Sequence, residues 1–136
     1  LAFWFWAFSL AYSSGFFRYH HHTRLPLLAA ALLCVVALPA SALVQWRRVR
    51  RGDASAPAAL VAHGLTTLAA LALPFGLTLA FSRAPRPWHL EADEAMGAGL
   101  DNLALLLVAV ACALVLGVAL TVRGARRRAG AGRGAS

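Results

Sequence analysis

Apolar and polar positions fall in long blocks along this chain rather than at the short periods of a half-buried helix or strand. Three uncharged apolar stretches, Leu25 to Trp46, Ala58 to Phe81 and Leu103 to Val122, each exceed or match the roughly 20 helical residues that cross a hydrocarbon core of about 30 Å. A segment inside lipid must satisfy its own backbone donors and acceptors, and a helix does so without a partner strand. The pattern predicts an all-α membrane protein with three transmembrane helices.

A fourth apolar block opens the chain. Residues 1 to 17 carry no charge, and nine of the thirteen aromatic residues lie in the first 19. Seventeen helical residues reach only about 25 Å, so the block is expected to be a short or truncated fourth span. A helix lying in the interface is the alternative, but that would need a strongly polar face. The block has neither a basic n-region nor an A-x-A cleavage pattern, so it reads as part of the mature protein rather than a signal peptide. Residues 1 to 122 are therefore expected to form a single helical membrane domain.

The polar segments complete the outline. In the loop from 82 to 102, Trp88, Ala92, Ala95 and Met96 recur at helical spacing after Pro85 and Pro87, which predicts a short surface helix. Gly97 and Gly99 are expected to end it, and Asp101 to cap the third span. Residues 123 to 136 contain no apolar side chain larger than Ala and are rich in Gly and Arg. A disordered basic tail is expected there.

Charge then orients the spans. Of the thirteen arginines, nine (Arg47, Arg48, Arg50, Arg51, Arg123, Arg126, Arg127, Arg128 and Arg133) fall on one side of the three spans, against Arg18, Arg24, Arg83 and Arg86 on the other. By the positive-inside rule the Arg47 to Arg51 turn and the C-terminus are cytoplasmic. A net charge of +8 in a soluble protein would suggest a nucleic-acid partner. In a chain that is 60% hydrophobic, with its arginines at span ends, it reads as topology and as contact with anionic lipids, about 1 kcal/mol for each arginine near a charged leaflet. Lys and Ile are absent. Their codons are AT-rich, so this bias points to a high-GC bacterial genome, and the expected location is a bacterial inner membrane.

Few residues carry recognisable chemistry. His20, His21 and His22 precede the first long span and His89 lies in the outer loop, on the same side of the membrane. With Asp93 at i+4 from His89, they are candidate transition-metal ligands; a solvated interfacial cluster is the plainer reading. His63, five residues inside the second span, is a candidate for a haem or quinone pocket at a subunit boundary. No second His lies on its side of the membrane, which excludes a bis-histidine haem within one chain. Cys34 and Cys112 sit mid-span and read as packing thiols. Pro39 and Pro74 are expected to kink their helices and to free the carbonyls of Val35 and Ala70. No cofactor is required by the sequence.

Helix contact is predicted from small residues at i+4 spacing: Ala58, Ala62, Thr66 and Ala70 on the second span, and Ala109, Ala113 and Gly117 on the third. None of the three spans holds Asp, Glu, Lys or Arg, which argues against a pump or proton-coupled transporter. No nucleotide-binding, hydrolase or zinc-protease motif is present. The functional expectation is an accessory or scaffolding subunit of a larger membrane complex, electron-transport assemblies among the candidates, without catalysis of its own. The alternative is an outer-face metal-handling protein built on the histidines.

Overall fold

The computed structural model describes residues 21–133, which form three helices and no strand. They are α1 (His21–Arg51), α2 (Ala56–Arg83) and α3 (Ala92–Arg133). All three are long and apolar enough to cross a membrane, and the chain is a multi-pass membrane protein by that measure. The fourth span expected over residues 1 to 17 lies outside the described residues.

Short connections make the helices antiparallel neighbours. α1 stops because Gly52 takes φ of 88°, a left-handed conformation that costs a residue without Cβ little. Its N–H donates to Val49 O at 3.2 Å and the Asp53 N–H to Arg48 O at 2.9 Å, the paired bonds of a Schellman ending. Ser55 then caps α2, its hydroxyl accepting from Ala58 N at 3.4 Å, with Pro57 in the first turn, where no N–H is needed.

The outer loop is shorter than the sequence suggests. Glu94 caps the start of α3 by reaching back, its Oε2 accepting from Glu91 N–H at 3.0 Å, and Ala95 N–H donates to Glu91 O at 2.8 Å as the first helical bond. The helix continues through Gly97, Gly99 and Asp101 without a break. The expected surface helix and third span are thus one element, and Asp101 lies inside it, buried, rather than at its cap. α3 also runs on to Arg133, where a disordered tail was expected from residue 123. With 42 residues it is about 63 Å long, twice the hydrocarbon thickness, so it projects beyond the lipid. Arg, Ala and the continuing backbone hydrogen bonds suffice for those last turns.

The interior is a narrow seam. On α3 the enclosed positions Ala98, Asn102, Leu105, Ala109, Cys112, Leu116 and Leu120 step by four and three residues, with a final step of four, the repeat of left-handed helix bundles. Two apolar layers result. Cys34, Val35, Leu38, Leu71, Leu105 and Ala109 form one; Val49, Ala59, Leu116 and Leu120 form the other, nearer the arginine-rich end. Outward positions such as Leu33, Val36, Leu65, Leu68, Leu107 and Val115 are exposed, as lipid-facing positions should be.

The contact face of α2 lies one residue along from the predicted stripe. Ala59, His63, Leu71 and Pro74 are buried, whereas Ala58 and Thr66 are exposed and Ala62 and Ala70 only half-buried. On α3, Ala109 is in the core and Gly117 half-buried, but Ala113 faces outward. Alanine occurs on every face of these helices, so small size alone does not mark the seam; the four-three spacing does.

Candidate functional site

Polar side chains enter the seam at three levels. At the first, Pro74 has no N–H to offer Ala70 O, the carbonyl one turn before it. The Cys34 thiol of α1 donates to that carbonyl at 2.8 Å. Cys34 is fully buried and is therefore more than a packing thiol: it supplies a weak donor where the proline has removed a strong one.

At the second level, near the outer loop, the Asn102 side-chain N–H of α3 donates to Thr78 Oγ1 at 3.0 Å. The Thr78 hydroxyl in turn donates to Pro74 O at 2.8 Å, and Ser82 Oγ donates to Thr78 O at 2.7 Å. This relay ties α3 to α2 with each named hydroxyl and the Asn102 amide engaged. Asn102, at the end of the 82 to 102 loop by its sequence pattern, is inside α3.

The third level holds His63. Its ring is buried, 1% exposed, between the two apolar layers, and Nδ1 lies 3.0 Å from Ser41 Oγ on α1. Nε2 is buried with no partner, as is Thr67 Oγ1 one turn further along α2. Either Ser41 donates to Nδ1 or Nδ1–H donates to Ser41, and in both arrangements Nε2 is left without a partner. The ring is enclosed by its own bundle and does not face a subunit boundary, so the geometry lends no support to a haem or quinone held there by His63.

Of the outer histidines, His89 is the one whose side chain is described. His89 lies in the loop ahead of α3 while Asp93 is in its first turn, so the two do not share a helical face. His89 is exposed, its Nδ1–H donating to Ala84 O at 3.1 Å. Beside it Phe81 and Trp88 stack with ring centroids 5.7 Å apart, and Arg86 meets Glu91 at 3.8 Å with both side chains exposed, a contact worth little in water. His20 lies outside the described residues, as do the side chains of His21 and His22. Among the described residues, no three His, Cys, Asp or Glu side chains are grouped to hold a metal ion.

At the opposite end the arginines divide into two kinds. Arg123 is structural: one guanidinium nitrogen, Nη2, donates to Arg50 O at 3.0 Å, satisfying a carbonyl that the end of α1 leaves open. Its guanidinium carbon lies 5.9 Å from the Trp46 ring centroid, within cation–π range. Arg48 donates to Gln45 Oε1 at 3.4 Å. Arg47, Arg51, Arg126, Arg127 and Arg128 are exposed. Comparison with family models, with curated proteins and with solved structures finds no match to this chain.

Proposed function

We propose that this chain is an accessory or scaffolding subunit of a larger bacterial inner-membrane complex, with its C-terminus in the cytoplasm and no catalysis of its own. The observation that carries this reading is the outward face of α2, which no other described residues cover. Ala59, His63, Leu71 and Pro74 are buried in the bundle, whereas Val61, Leu65 and Leu68 are exposed. The small residues Ala58 and Thr66 lie on that open side, where another helix could approach closely. The hydrogen bonds of Cys34, Ser41, Thr78 and Asn102 join the bundle's own helices, and the stretches 25–46, 58–81 and 103–122 carry no charge of the kind that marks an ion or proton path.

Purification from native membranes in mild detergent, followed by native mass spectrometry, tests the proposal. A stoichiometric membrane partner is expected, and Ala58→Leu with Thr66→Leu should release it while leaving helix content unchanged. A chain that runs alone at every detergent concentration contradicts the reading.

A further inference from the structure

α1 and α3 end at different heights, and the step between them is lined with guanidinium groups. α1 stops at Arg51, whereas α3 continues for ten residues beyond Arg123, the residue whose side chain reaches Arg50 O. That bond, with the Trp46 contact, fixes which face of α3 meets α1. At about 100° per residue, Arg126 and Arg127 lie within roughly 60° of Arg123 on this same face, past the point where α1 has ended. Arg128 points about 140° away. Arg50 stands one turn from Trp46 on α1 and contributes its own exposed guanidinium.

We propose that this notch, formed by Arg50, Arg123, Arg126 and Arg127, binds the phosphate of an anionic phospholipid. Among the described residues no ion pair is recorded for these four arginines, and the acidic side chain nearest them in the chain is Asp53, in the α1–α2 turn. The ion pair of Arg86 with Glu91 is at the other end. Depth selects a lipid over a soluble anion. Trp46 is the kind of ring that settles at the headgroup boundary. Arg126 and Arg127 rise about 5–6 Å above Arg123, comparable to the headgroup layer of about 5–8 Å per leaflet. Guanidinium groups grip phosphate oxygens in pairs, and several can share one phosphodiester. The inference needs only that the helices cross a bilayer, and it stands whether or not the protein is an accessory subunit.

The full chain, reconstituted in nanodiscs of phosphatidylcholine with one-quarter phosphatidylglycerol and released into the gas phase, should retain phosphatidylglycerol preferentially. Arg127→Gln should lower that preference about fivefold and Arg126→Gln with Arg127→Gln about 25-fold. Arg128→Gln removes the same charge from the other face and should change it less than twofold. The notch is refuted if Arg128→Gln and Arg127→Gln have equal effects, which would leave only diffuse attraction. It is likewise refuted if phosphatidylcholine is retained as often, or if millimolar inorganic phosphate displaces the lipid. These substitutions lie on the exposed extension of α3, so unchanged circular dichroism is expected throughout.

Discussion

The relay of Asn102, Thr78 and Pro74 O and the pair of His63 with Ser41 are both polar layers in an apolar bundle, yet they are finished differently. In the first, the Asn102 amide and the Thr78 hydroxyl reach acceptors in turn. In the second, one ring nitrogen is engaged and the other is buried without a partner. A hydrogen-bonded polar group in lipid stabilises helix association modestly, while an unsatisfied one carries its full desolvation cost. The outer layer is thus a clasp between α2 and α3. The His63 layer is a weak point that the surrounding packing tolerates.

Four tests, read by SDS-driven unfolding in mixed micelles, would break or sharpen this contrast. The largest effect is expected from His63→Ala, which opens a cavity and strips Ser41 of its partner, at a cost of about 2–3 kcal/mol. If the loss is below that of Thr78→Val, the ring contributes little packing and the picture of the inner layer is wrong. Thr78→Val itself removes the acceptor of Asn102 and should cost about 1 kcal/mol. Cys34→Ala should cost about 0.5–1 kcal/mol, and less in a Pro74→Ala background. There the restored N–H of residue 74 competes for Ala70 O; an equal cost in both backgrounds would deny the thiol its role. The smallest change is predicted for His63→Leu combined with Ser41→Ala. Both ends of the incomplete layer are then apolar, and stability should stay within about 0.5 kcal/mol or rise. A large loss would mean that Nε2 has a partner in the membrane-embedded protein.

What could be read from the sequence follows from which signals survive in lipid. The three spans were legible because length and the absence of charge are sufficient conditions; the left-handed ending at Gly52 is a feature of the structure that the apolar pattern does not mark. The carbonyl freed by Pro74 was legible too, but its partner was not, since nothing in a linear pattern says that Cys34 on another helix faces Ala70. The α2 seam was misplaced by one residue because alanine is abundant on all faces there. His63 drew attention as a possible ligand for its chemistry, whereas its role follows from its neighbours: Ser41 on one nitrogen and none on the other. The break expected at Gly97 and Gly99 did not materialise. Two glycines each cost about 1 kcal/mol in helix propensity, a cost set against the Glu94 side chain capping Glu91 N–H and the burial of Ala98 and Asn102 on the same helix.

The central claim is that three helices cross a bilayer with the α1–α2 turn and the end of α3 on one side and the α2–α3 loop on the other. Cysteine accessibility in sealed membrane vesicles tests this most directly, with Ser55→Cys, Ala131→Cys and Pro85→Cys made singly and labelled with a membrane-impermeant maleimide. In vesicles of one orientation, positions 55 and 131 should react alike, and position 85 should give the opposite result until the membrane is permeabilised. Equal labelling of all three positions before permeabilisation would contradict the three-span account.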